Sequence, residues 1–318
     1  MKILVTGAAG FVGKHLCRYL ARKGDIVIAV TRDNDYTFYE QNIINYTCAL
    51  ENLDDIVNMF KLFRPDGIIH LAAKSSVAYS WEHPSLSFLN NAQIFLNVIE
   101  AQRLCLPSAR FLSVGSSEQY GILSPEQLPV LESAICNPAS PYAVARVAQE
   151  QLALIYAKKF NIDVICTRSF NHIGPGQSPQ FVIPSFLYQA FQIKKRIKNS
   201  FECGDISIVR DFVDIRDIVR AYRFLLLNGK KQEIYNISTG IGTSLKKVLD
   251  IIMQKFNIQA EIKILPHLLR PADNKIIIGD NNKIINLGFK FQYDLETSLE
   301  NIIEKDFHEN FNHNPYKK

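Results

Sequence analysis

The chain has 318 residues, enough for two lobes or for one large α/β domain with a cap. Hydrophobic residues make up 47% and charged residues 21%, a globular balance that excludes an intrinsically disordered chain. The surplus of 36 basic over 31 acidic residues, a net charge of +5, forms no dense Lys/Arg stripe with interleaved aromatics, which argues for a basic protein with an anionic small ligand and against nucleic-acid binding.

Six cysteines (Cys17, Cys48, Cys105, Cys136, Cys166 and Cys203) are scattered without a Cys-x-x-Cys pair. They read as reduced thiols in the cytoplasm, with neither a disulfide framework nor a metal site. Strand residues begin at Lys2 and no apolar run reaches spanning length, so neither a signal peptide nor a membrane helix is expected.

In chain order, Ile3–Val5, Ile26–Val30, Ile68–Leu71, Phe111–Val114 and Val164–Thr167 are short continuous apolar runs, the pattern of strands buried on both faces. Helix-period segments near 11–23, 53–63, 85–104 and 140–159 alternate with them, and a further strand closes at Cys48-Ala49-Leu50. This alternation predicts an α/β fold, a doubly wound parallel sheet with helices on both faces. After Arg168 the pattern changes. Residues 171–184 are rich in Gly, Pro and Gln and read as an ordered loop at a domain junction; helices near 182–195, 216–228, 244–256 and 295–305 follow. The expected organisation is a main domain over 1–170 that takes back a segment near 211–240, including a strand at Glu233–Ile237. A smaller α/β lobe comes from 171–210 and 241–306, and a polar tail, 307–318, frays.

Val5-Thr6-Gly7-Ala8-Ala9-Gly10-Phe11-Val12-Gly13 follows the first strand and opens the first helix. The first glycine permits a tight turn, the second admits backbone close to a pyrophosphate, and the third lets the helix pack on the strand. A pyrophosphate then sits on free N–H groups at the positive helix end. Glycines alone are a weak signal; here the strand before, the helix after and the second strand on schedule supply the required context. The GxxGxxG spacing resembles the extended short-chain dehydrogenase/reductase family, which makes the main domain Rossmann-type and the smaller lobe its substrate-binding part. The second strand ends Ala29-Val30-Thr31-Arg32. A carboxylate there would suit the ribose of NAD, whereas Arg32 pairs with a 2′-phosphate, so NADP(H) is favoured over NAD(H). Asp33 is the alternative ribose ligand. Relatives commonly carry an Asp for adenine where this chain has Cys48-Ala49-Leu50. His70-Leu71-Ala72-Ala73 is a family-like stretch, and the resemblance puts Leu71, Ala72 and Ala73 in the cofactor cleft with Gly7, Gly10, Phe11, Val12 and Gly13.

Ser113-Val114-Gly115-Ser116-Ser117-Glu118 lies where a strand ends, at the edge where α/β sheets bind ligands. Tyr142 and Arg146 are one helical turn apart and share a face. A neighbouring cation favours the phenolate and makes Tyr142 usable as an acid or base. This resembles the Ser/Thr–Tyr–Lys triad of the same family, with Arg146 where the family has Lys. The family's Lys also binds the nicotinamide ribose, a role that would pass to Arg146.

Arg168-Ser169-Phe170-Asn171-His172-Ile173-Gly174-Pro175-Gly176-Gln177-Ser178-Pro179, Phe181–Phe186, Val114–Gly121, Arg210–Asp217 and Leu269–Asp273 resemble the GDP-sugar branch, GDP-4-keto-6-deoxy-D-mannose reductases above all. Carried over by position, Ser117, Asn171, Val182, Arg210 and Arg270 bind the substrate. Asn171 and the two arginines would meet its diphosphate through charge-assisted hydrogen bonds. His172 reads as structural or base-lining. The implied reaction is NADPH-dependent reduction of the C4 ketone of GDP-4-keto-6-deoxy-D-mannose, a step of deoxysugar biosynthesis. Tyr142 would be the proton donor, Ser116 the group on the ketone oxygen, and Arg146 the group that tunes Tyr142. Glu118 stands where 4,6-dehydratases of the family keep a base, so a lyase is the runner-up and a 4-epimerase third; a non-catalytic nucleotide-binding protein is the remaining alternative. The resemblance also implies a homodimer through the helices near 85–104 and 140–159.

Overall fold

A computed structural model describes residues 1–33, 36–269 and 274–308. The first half runs β1 (Lys2–Thr6), α1 (Phe11–Arg22), β2 (Ile26–Thr31), β3 (Ile43–Thr47), α2 (Leu53–Phe63), β4 (Gly67–His70), α3 (Val77–Glu82), α4 (Pro84–Cys105), β5 (Arg110–Ser116), α5 (Pro141–Phe160) and β6 (Val164–Ser169). The second half runs β7 (Asn171–Ile173), α6 (Val182–Lys194), β8 (Ser200–Cys203), β9 (Val209–Asp214), α7 (Ile215–Asn228), β10 (Ile234–Ile237), β11 (Gly242–Ser244), α8 (Leu245–Phe256), β12 (Glu261–Ile264), β13 (Ile276–Ile277), α9 (Asn282–Asn286) and α10 (Leu295–Ile302).

Seven strands form one parallel sheet in the order β10-β6-β5-β4-β1-β2-β3. Successive residues of a buried strand point to opposite faces, so the continuous apolar runs feed two cores. Ile3, Val5 and Ile69 pack with Leu16 and Leu20 of α1 and Ile218 and Leu225 of α7. Leu4 and Ile68 pack with Phe60 of α2, Val98 of α4 and Ala153 of α5. A Rossmann-type sheet results, and its reversal between β1 and β4 opens a crevice at the carboxyl ends of those strands. From the later part of the chain α7 packs on this sheet and β10 joins its edge, whereas residues 211–214 belong to β9 in the smaller lobe's sheet.

The remaining elements build a third core around Phe186, Leu187, Phe201, Val248 and Ile252. In this part β9 pairs with β11, β13 and β7, while β8 pairs with β12. Three expectations change. The stretch 171–184 is more ordered than a loop: Asn171–Ile173 pairs with Phe212–Asp214, and α6 starts at Val182. The strand expected over Ile68–Leu71 ends at His70. Phe307 does not fray. It is 1% exposed in a π-helical turn, Ile303–His308, and packs against Phe191 and Phe256, because one aromatic ring outweighs its polar neighbours once a pocket between α6 and α8 accepts it. All six cysteines are free thiols, four of them buried. No helix among the described residues is long and apolar enough to cross a membrane.

Candidate active site

The glycine loop is held by close backbone packing. Gly7 has φ +69°, and a Cβ on it would lie 2.8 Å from the Ala72 amide nitrogen; one on Gly13 would lie 2.3 Å from the Gly7 carbonyl oxygen. No side chain caps α1 and its first turn has no acidic residue, so its N–H groups face the crevice unneutralised. Thr6 ties this loop to the next strand: its Oγ1 accepts the Leu71 and Ala72 amides, each at 3.2 Å, and sits 3.0 Å from His70 Nδ1.

Two further pieces meet it. Ser116 ends β5 and caps a short 3-10 turn, where Ser116 Oγ accepts the Glu118 amide at 3.3 Å and Gln119 Oε1 accepts the Ser116 amide at 2.9 Å. Ser140 caps α5 by accepting the Ala143 amide, with Pro141 at the first helical position, and this sets Tyr142 in the first turn. One turn on, Arg146 Nε donates to Tyr142 Oη at 3.1 Å. Arg146 Nη1 donates to Gln149 Oε1 at 2.6 Å and to the Val114 carbonyl at 3.4 Å.

These parts line one cavity of about 750 Å³, within the range of ligand pockets. Its walls include Gly7, Gly10, Phe11, Val12 and Gly13, then Leu71, Ala72 and Ala73, then Ser116, Ser117, Glu118, Tyr142 and Arg146. Arg32, Asp33, Cys48 and Leu50 line the end beyond β2; Asn171, His172 and Val182 line the side of the smaller lobe. Arg32 is exposed and pairs loosely with Asp33 at 3.5 Å, so its charge is available to a ligand. His172 is pushed down to about 4 by burial and is neutral at pH 7. The loop between β7 and α6 is strapped near its start: His15 Nε2 lies 2.9 Å from the Pro175 carbonyl oxygen, and the Gly176 amide donates to the Asp306 carboxylate.

Arg210 does not line the cavity; its Nη1 donates to the Val209 and Asn274 carbonyls at 3.0 and 2.7 Å, because β9 carries it within the smaller lobe's sheet, between β11 and β13. Arg270 lies outside the described residues, as do Pro271–Asp273. Residues not anticipated from the sequence support the site from behind. Gln149 grips Arg146, and Gln119 Nε2 donates to Glu150 Oε2, which Arg168 also holds at 2.9 Å. The signal for Gln149 and Glu150 was present, three and four residues after Arg146 on one helical face. Tyr222, on α7, bonds Ser169 Oγ at 2.9 Å and reaches the cavity from a segment no local pattern points to.

Residues 4–302 match the family model described as GDP-mannose 4,6 dehydratase. The chain belongs to this family of extended short-chain dehydrogenases/reductases. It is 31% identical over 304 residues to the GDP-6-deoxy-D-mannose reductase of Pseudomonas aeruginosa, covering 95% of this chain and 96% of the relative. The structure of RMD from Pseudomonas aeruginosa complexed with NADPH matches at a TM-score of 0.83 and 29% identity, over 96% of this chain and 98% of that one. The UDP-glucose 4-epimerase of Thermotoga maritima with UDP-glucose matches at 0.87 and 28% identity, over 98% and 100%. As a member of this family the chain is an NAD(P)-dependent enzyme, and the glycine cradle and uncapped α1 fit a dinucleotide pyrophosphate.

Proposed function

We propose that this enzyme reduces the C4 ketone of GDP-4-keto-6-deoxy-D-mannose with NADPH, forming GDP-D-rhamnose or its C4 epimer GDP-6-deoxy-D-talose. The observation that carries this reading is Tyr142 Oη, held by Arg146 Nε at 3.1 Å in the wall of the cavity that the glycine loop closes. The similarity over nearly the whole chain to a GDP-6-deoxy-D-mannose reductase supports the substrate.

Gly7, Gly10 and Gly13 with the first N–H groups of α1 hold the pyrophosphate, Arg32 meets the 2′-phosphate, and Leu71–Ala73 line the dinucleotide cleft. NADPH, when bound, supplies the hydride for C4. Tyr142 gives its phenolic proton to the ketone oxygen, and Arg146 stabilises the phenolate left behind. Ser116 Oγ already accepts the Glu118 amide, which leaves its O–H to donate to the same ketone oxygen. Ser117, Asn171 and Val182 frame the sugar nucleotide, and Asn171 and Arg210 meet its diphosphate.

Purified enzyme mixed with this ketone oxidises NADPH, and NMR of the product gives the C4 configuration. A second reading rests on Glu118, which lines the same cavity two residues after Ser116. It would remove the C5 proton in a 4,6-dehydratase. Turnover of GDP-mannose alone, with no net NADPH consumption, decides for that lyase. The enzyme acts in the cytoplasm as a homodimer. Leu86 and Leu89 on α4 and Val144 and Ile155 on α5 present an exposed apolar face for the second copy. Light scattering on the eluted protein reads the dimer, and a monomer at micromolar concentration refutes it.

A further inference from the structure

We propose that Gln149 is a positioning residue that acts through Arg146 and lets an arginine serve where the family has lysine. Arg146 is 5% exposed, yet among the described residues its guanidinium bonds no carboxylate. The nearest one along the helix, Glu150, is engaged by Arg168 at 2.9 and 2.7 Å and by Gln119 at 2.9 Å. The charge of Arg146 therefore remains directed at Tyr142 and the cavity, and neutral groups must hold it in place.

Gln149, 2% exposed, supplies the hold. Its Nε2 donates to Ser113 Oγ at 2.9 Å and to the Val114 carbonyl at 3.1 Å. A carbonyl only accepts, so the amide cannot be reversed, and Oε1 is turned onto Arg146 Nη1 at 2.6 Å. The guanidinium is a rigid plane with its donors in a fixed fork. Once Nη1 is clamped by Gln149 and Val114, Nε can lie only where Tyr142 Oη meets it, at 3.1 Å. A lysine ammonium, a point charge on a flexible stem, needs no such clamp.

This proposal rests on the reading of Tyr142 as proton donor. The test is a double-mutant cycle on the full-length enzyme with Gln149→Leu, Arg146→Lys and the pair combined, reading kcat and KM for the ketone, NADPH affinity and thermal melting. In the Arg146 enzyme, Gln149→Leu lowers kcat about tenfold to a hundredfold with sugar-nucleotide KM within about twofold, the mark of lost alignment. In the Arg146→Lys background the same change moves kcat by less than about threefold. Equal losses in both backgrounds, or no loss in the first, overturn the proposal. Should Gln149→Leu fail to fold, Gln149→Met keeps the side-chain length without either hydrogen bond and runs the same cycle. If the wild-type protein does not reduce this ketone, the functional reading fails by itself. The cycle is then read on NADPH affinity, where Gln149→Leu weakens binding about fivefold with Arg146 present and leaves it unchanged in the Arg146→Lys background; equal effects there refute the role of Gln149.

Discussion

Thr6 Oγ1 lies 3.0 Å from His70 Nδ1 while accepting the amide protons of Leu71 and Ala72. An oxygen that accepts two protons gives its own to the remaining neighbour, so Nδ1 is the acceptor and the proton of His70 sits on Nε2. The pair joins the tip of β1 to the exit of β4, beside the place where Gly7 meets Ala72. Burial, with a smaller contribution from the Arg146 charge, pushes His70 down to about 3.

A pH dependence of stability follows from that histidine. The unfolded residue titrates near 6.5, so below that pH the unfolded chain binds more protons than the folded one. Stability is then intact above pH 6.5 and falls by up to about 1.4 kcal/mol per pH unit as the pH drops toward 3. His70→Asn keeps an acceptor for Thr6 and removes the titration. Between pH 7 and pH 5, urea unfolding of the variant should lose about 2 kcal/mol less than the wild type. Equal losses would assign the acid sensitivity to other groups.

Tyr142→Phe removes one oxygen from the cavity wall. The expected result is a fall in kcat of about 10² to 10⁴ with NADPH affinity nearly unchanged, measured by steady-state kinetics and cofactor fluorescence. Substantial residual turnover would rule out Tyr142 as proton donor.

Arg32 is 68% exposed at the side chain, so Arg32→Ala should leave the melting temperature unchanged. The ratio of kcat/KM for NADPH over NADH should fall by about tenfold or more, since the phosphate loses a charge-assisted partner. A constant ratio would pass discrimination to another side chain.

Arg168 and Glu150 form a bidentate pair with side chains 4% and 3% exposed, and Arg168 also lies over the Tyr120 ring. Arg168→Met strands the Glu150 charge and should cost about 3 to 5 kcal/mol in denaturant unfolding. Adding Glu150→Gln should restore part of that loss. A change below about 1 kcal/mol would show that the pair contributes little to stability.

The glycine loop, the buried strands and the Tyr142–Arg146 spacing were legible in the sequence because each is local. A continuous apolar run, a turn needing Gly7 at positive φ and two side chains one helical turn apart follow from neighbours along the chain. Docking decided the rest. Ser113 supports Gln149 from 36 residues away, Gln119 reaches Glu150 across 31, and Thr6 meets His70 across 64. Thr6 and His70 meet because they are partners in the parallel register of β1 and β4, and the other two distances close because α5 docks against β5 and the turn that follows it. Phe307 was misjudged for the same reason: whether a ring is core or tail depends on what packs beside it. One-dimensional pattern therefore determined the Rossmann-type elements and most of the cavity wall, and tertiary packing alone decided which polar side chains hold that wall in place.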